Sequence, residues 1–327
     1  MKQQRLEWVD VAKGMGMFFV IVGHCNGENF LQILLYAFHM PLFFFLSGLF
    51  ILGRKESPLI DQIKRKSKQL LIPLYVFSIV LGLYSYTIAY LSGNDFSISN
   101  RLIGMLLQFK GGEFHGSLWF LSCLFIMSTA MLLICRLTAF DKFGGVICAM
   151  ISLIGSVYVK YVGVDLPWCI ELAAVNMIFM WLGVYISRNP NIVRFSPGIF
   201  FLSVIVFVAF AYMNYYHLET ITDEFKNQLG IIPLFYIAAI SGIYVIVLLS
   251  QKCGGKLLNW MGKNSLLLYC LHFLLLLVIY KACDILLGNS DIPVSMLAIT
   301  KALLIVLILS PIIRFFNVKC SWVLGKF

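Results

Sequence analysis

Apolar runs long enough to cross a bilayer recur along the whole of this chain, and they leave few architectures open. A membrane-spanning helix needs about 20 mostly apolar residues. In hydrocarbon every backbone N–H and C=O must find a partner within the protein, which admits helices and closed barrels only. Runs of helix-spanning length, recurring along the chain, point to helices. At 61% hydrophobic and 12% charged, the composition excludes a soluble globular domain. The expected fold is an all-α, polytopic membrane protein of about ten transmembrane helices. Their approximate bounds are 9–26, 33–53, 70–92, 117–137, 144–161, 170–187, 197–216, 229–250, 264–283 and 294–316. The connections are short, so residues 1–327 are expected to form a single transmembrane domain with no appended soluble domain. The first segment lacks a small-residue cleavage site and is expected to be retained.

Basic residues orient the spans. With the N-terminus in the cytoplasm, 18 of the 25 Lys and Arg fall on the inner side and 6, Arg101, Lys110, Lys160, Lys226, Lys281 and Lys301, on the outer, while Lys13 lies within the first span. That asymmetry predicts both termini inside. It also explains the net charge of +10 by the membrane and its lipids, not by nucleic acid. The densest basic stretch, Lys64-Arg65-Lys66-Ser67-Lys68, precedes the third span. It reads either as an orientation signal beside anionic headgroups or as a phosphate-binding patch. The nine cysteines form no CxxC and no metal-ligand spacing, so no metal site is expected.

The first span carries Asp10, Lys13 and His24. Eleven positions separate Lys13 from His24, three helical turns plus about 20°, which puts both on one face about 16 Å apart along the axis. Ionisable groups at such depth face a cavity or a partner. Histidine suits general-base work near neutral pH. Gly16 and Gly23 lie on a neighbouring stripe that admits another helix or a thin ligand. About six residues join the first span to the second, making them antiparallel neighbours, so His39 shares the outer half with His24. Pro41 is expected to kink that second helix, and Ser47-Gly48 forms a small-residue site in its inner half. Weaker candidates are His115, Trp119, Glu171, Asn176 and His272, while His217 is expected in an external loop without a role. Trp119 is open between an interfacial aromatic and a sugar platform, and His272 between a packing residue and a ligand contact.

These residues carry a resemblance. Asp10-Val11-Ala12-Lys13-Gly14 with His24 is similar to a basic-x10-His signature in which the basic residue is more often arginine. Met40-Pro41-Leu42-Phe43-Phe44-Phe45-Leu46-Ser47-Gly48 resembles a Pro-Leu-Phe-Phe-x-x-Ser-Gly motif. Leu118-Trp119-Phe120-Leu121, and Gly262-Lys263-Asn264-Ser265 through Tyr269 to His272, look like two further motifs of the same set. Together they resemble the membrane-bound acyltransferase-3 family, over essentially the whole chain. The resemblance implies ten helices, an acyl-CoA cosubstrate from the cytoplasm, no permanently bound cofactor, and an extracytoplasmic carbohydrate acceptor. It implies His24 as the catalytic histidine with Lys13 as its basic partner; Asp10 and His39 are the adjoining candidates. Arg54, Lys64, Arg65, Lys66, Lys68 and Ser47 are the expected cofactor-binding residues, and His115, Trp119, Glu171, Asn176 and His272 the expected acceptor-side residues. The implied location is a bacterial cytoplasmic membrane. A secondary transporter or glycolipid exporter, its pathway lined by the same ionisable residues, is the competing expectation; a purely structural or sensory membrane protein is a third.

Overall fold

The computed structural model describes residues 7–25, 29–51, 57–94, 98–109, 118–138, 142–287 and 293–325. Every long element among them is a helix, and the protein is a polytopic all-α membrane protein. Nine segments among the described residues are long and apolar enough to cross a membrane. Helix α1 (Glu7–His24) carries Glu7, Asp10 and Lys13 within 18 residues and is too polar to join them by composition alone.

The chain divides into two compact units. The first comprises the described parts of residues 1–53 and 179–311. It holds α1, α2 (Phe30–Tyr36) and α3 (His39–Gly48). It also holds the end of α8 (Ile170–Arg188), then α9 (Pro197–Leu218), α10 (Ile232–Lys252), α11 (Lys256–Lys263), α12 (Ser265–Leu287) and most of α13 (Val294–Lys319). Helix α1 is its hub, touching α2, α3, α10, α11 and α12. Its most extensive contact is with α11, and two glycines make it possible. A Cβ on Gly14 would meet the backbone carbonyl of Leu258, and one on Gly262 would meet the backbone carbonyl of Asp10. Small residues of this kind let helix backbones touch. Gly48 and Gly183 do the same between α3 and α8, against the carbonyls of Met180 and Phe45.

The second unit comprises the described parts of residues 54–178 and 312–327. It contains α4 (Leu59–Leu91), α5 (Ile98–Leu107), α6 (Trp119–Leu137), α7 (Lys142–Tyr161) and the start of α8. Helix α4 has 33 residues, about 50 Å of helix against a hydrocarbon layer of about 30 Å. Its N-terminal turns therefore extend beyond the apolar layer. Lys64, Arg65, Lys66 and Lys68 sit on that helical extension and not on a loop before the span. A short C-terminal turn, Ser321–Leu324, packs on it, with Gly325 against the Lys68 carbonyl.

Three sequence expectations are corrected. The second span is interrupted at Ala37-Phe38, before Pro41. Pro41 is the third residue of α3, within the first turn, where its missing N–H breaks no helical hydrogen bond. Lys301 does not lie on the outer surface: it is seven positions into α13 and only 4% exposed. His217 belongs to the last turn of α9, not to a loop. Two short helices, α5 and α11, lie outside the expected spans.

Candidate active site

Helix α1 has two partly exposed stripes. Trp8, Met15, Phe18 and Phe19 make one; Lys13 and His24 make the other, and most positions between are buried. At ~100° per residue the two stripes lie on opposite sides of the helix. The first is a continuous apolar band. The second presents an ammonium at one end and an imidazole at the other, which is the arrangement the sequence phase predicts. Asp10 is buried one turn from Lys13, and the Lys13 ammonium lies 4.9 Å from the Phe50 ring centroid.

Aromatic rings and two more histidines surround His24. Tyr36 ends α2, and its Oη lies 3.4 Å from His24 Nδ1. Gly23 permits this approach, because a Cβ there would sit 3.0 Å from Tyr36 Cε2. Gly16 similarly admits Leu42 and Phe43, so helix side chains and not a ligand occupy the small-residue stripe of α1. Gln32 holds the same junction, donating from Nε2 to the Gly23 carbonyl at 3.2 Å. The interruption after Tyr36 starts α3 at His39, whose ring meets Tyr36 edge-on at 4.9 Å. From α12, the His272 and Phe273 rings lie 5.5 and 4.8 Å from that of His24.

Hydrogen-bond chemistry fixes two of the three imidazole tautomers. His272 Nδ1 lies 3.0 Å from the Leu268 carbonyl and 2.8 Å from that of Tyr269. His39 Nδ1 lies 2.6 Å from the Leu35 carbonyl. Carbonyl oxygens only accept, so both Nδ1 atoms carry the hydrogen and both Nε2 atoms are bare when the rings are neutral. His272 Nε2 is buried with no hydrogen-bond partner, a lone pair ready to accept a proton or a hydroxyl hydrogen. His24 is the ring left free to choose. Donation from its Nδ1–H to Tyr36 leaves Nε2 as a base.

A cation completes the cluster. Tyr280 of α12 donates from Oη to the His24 carbonyl at 3.1 Å, and the Lys301 ammonium sits 3.9 Å from the Tyr280 ring centroid. Burying an ion costs several kcal/mol, whereas a desolvated cation–π contact returns about 2 kcal/mol. Among the described residues no carboxylate is ion-paired with Lys301. Tyr36, Tyr280 and Lys301 were invisible to spacing arguments. Only Gly23, on the stripe expected to admit another helix or a thin ligand, marked that position on α1.

The remaining sequence candidates have contacts of their own. Ser47 donates to the Phe43 carbonyl of its own helix at 2.8 Å. In the second unit, Lys64 and Lys68 are exposed one turn apart, with Arg65 and Lys66 half-buried. Trp119 begins α6 and packs edge-on against Phe120. Glu171 is buried and accepts from the Leu166 N–H at 3.2 Å, pinning the chain that enters α8. Asn176 donates to the Leu172 carbonyl at 3.0 Å. Arg54 and His115 lie outside the described residues. The late motif divides its labour: Gly262 provides the close contact with α1, Asn264 closes the turn after α11 by donating to the Trp260 carbonyl at 2.8 Å, and His272 joins the site.

One family, described as an acyltransferase domain of type 3, matches residues 6–315. No curated protein and no solved structure matches the chain.

Proposed function

The chain belongs to the acyltransferase-3 family, and we propose that it is an O-acyltransferase of a bacterial cytoplasmic membrane, moving an acetyl group from acetyl-CoA to a hydroxyl of a cell-surface polysaccharide or its lipid-linked precursor. The observation that carries this reading is the half-exposed stripe of α1. It sets His24 among His39, His272 and Tyr36 at one end and Lys13 at the other. With the N-terminus inside, Lys13 points toward the donor side and His24 toward the acceptor side.

In this mechanism His24 Nε2 takes the hydroxyl proton as the oxygen attacks the thioester carbonyl. The tetrahedral adduct collapses with cleavage of the C–S bond. The thiolate leaves with the proton that His24 returns, giving the ester and free CoA. Tyr36 holds the tautomer through Nδ1, and Tyr280 holds the backbone of His24 from the other side. Prior acylation of His24 itself is a variant of the same scheme. Lys13 balances charge along the donor path, with Asp10 beside it. On the donor side, Lys64 and Lys68 are neighbours on one helix face, about 6 Å apart at Cβ, a spacing suited to the phosphates of CoA. Arg65, Lys66 and Arg54 add to that charge. Trp119, Glu171, Asn176 and His115 are assigned to the acceptor side with His272.

The test is CoA release from acetyl-CoA by purified protein with and without a surface-glycan extract. His24→Ala is expected to lower acceptor-dependent release by about 10²–10⁴-fold, the usual worth of a general base. Normal release by that variant would remove His24 from the mechanism. Flux of labelled glycan without any acyl transfer would instead mark a transporter.

A further inference from the structure

We propose that Lys301 is an anion subsite that selects acceptors bearing a carboxylate or phosphate on the sugar presented to His24. Three observations support it, and it rests on the acyl-transfer reading above. The ammonium is buried, at 4% residue exposure, so it is not a surface charge. It stands over the ring of Tyr280, whose hydroxyl touches the backbone of His24. Tyr280 thus touches both the cation, through its ring face, and the backbone carbonyl of His24, through its hydroxyl. Among the described residues no carboxylate is ion-paired with it, and the Tyr280 ring is a partner it has there. The position also fits the polarity of the site. Lys301 lies near the start of α13, at the His24 end of the unit, away from Lys13 on the donor side. An acidic sugar whose hydroxyl meets His24 would place its anionic group against this ammonium.

The chemistry predicts a preference and not an all-or-none requirement. A buried charge-assisted contact made to one acceptor and absent from its neutral counterpart is expected to favour the acid by about tenfold or more. The probes are methyl glucuronide, methyl glucoside and methyl glucoside 6-phosphate, offered with radiolabelled acetyl-CoA to the purified, lipid-reconstituted protein. Wild type is expected to acetylate one of the two anionic probes at least about tenfold faster than the neutral one, and which anion wins separates carboxylate from phosphate. Lys301→Met, close in shape, should bring the acid-to-neutral ratio near one, and Lys301→Arg should retain the preference. Thermal stabilisation by the same three probes gives a readout without turnover. Stabilisation of wild type but not of Lys301→Met by an anionic probe supports the subsite even if no probe is acetylated, in which case the acyl-transfer reading alone falls. Equal acetylation of acidic and neutral probes by wild type overturns the subsite and leaves acyl transfer standing. The proposal is also overturned if neither turnover nor stabilisation separates the probes, or if the methionine variant keeps the wild-type ratio.

Discussion

Gly23→Ala isolates the contact between Tyr36 and His24 without touching either side chain. The added Cβ would lie 3.0 Å from Tyr36 Cε2, against an ordinary carbon–carbon separation of about 3.5–4.0 Å. The ring edge can give way, because it is a side chain and not backbone. A retreat of about 0.5–1 Å relieves the clash. The Tyr36–His24 bond has no slack for that, since at 3.4 Å it already sits near the limit of a hydrogen bond. Its loss is worth about 0.5–1.5 kcal/mol, or about 2- to 12-fold in acceptor-dependent CoA release. Overpacking costs about 1 kcal/mol at its mild end, and alanine returns a similar amount over glycine in a helix, so the thermal midpoint should barely move. Tyr36→Phe should cost the same in rate. The double variant should be no slower than either single one, because both remove one contact. If Gly23→Ala slows the enzyme equally in the Tyr36→Phe background, the glycine acts through something other than this tyrosine and the reasoning fails.

Gly262→Ala is the hard counterpart. Its Cβ collides with the Asp10 carbonyl, backbone cannot retreat as a ring does, and the expected cost is about 1–3 kcal/mol, read as a lower thermal midpoint and reduced yield in membranes. Cys253 is exposed just past α10, so with both termini inside a membrane-impermeant maleimide should label it in inverted vesicles and not in intact cells; the reverse pattern would invert the topology. Asp223, in the connection between α9 and α10, has its carboxyl pushed up by burial, with Lys226 at 3.6 Å pulling it back. A raised acid stabilises the fold most below the ordinary carboxylate pKa and loses that contribution as pH rises through the folded value. Asp223→Asn is therefore expected to gain stability over wild type at pH 7 and not at pH 3 in thermal melts; an equal effect at both would refute it.

The sequence made the α1 stripe legible because helical phase is a property of one element: Lys13 and His24 needed no partner to be placed on one face. The same held for the long apolar helices, whose bounds follow from composition. Pro41 misled, since a proline is a kink in a helix interior but harmless in a first turn, and only the break at Ala37-Phe38 decides which it is. Lys301 misled for a related reason. A lysine near a helix start reads as a surface charge until its neighbours are known, and here the Tyr280 ring of α12 lies against its ammonium. Tyr36 and Tyr280 approach His24 through tertiary packing, which leaves no periodic trace. The short helices α5 and α11 escaped because neither spans a membrane, although α11 is the main support of α1.

The crossing of Gly14 with Leu258 and of Gly262 with Asp10 has a consequence for how the protein is made. Helix α1 leaves the ribosome well before α11, and its backbone is shaped for that helix, encoded almost 250 residues later. At about 5–20 residues per second, that partner follows some 10–50 s behind. Through that interval Asp10, Lys13 and His24 must be held without the surroundings that finally enclose them. A helix this polar is a poor candidate to dwell alone in lipid. Helix α1 is thus made long before it is housed, and its custody by the insertion machinery is part of what the sequence demands.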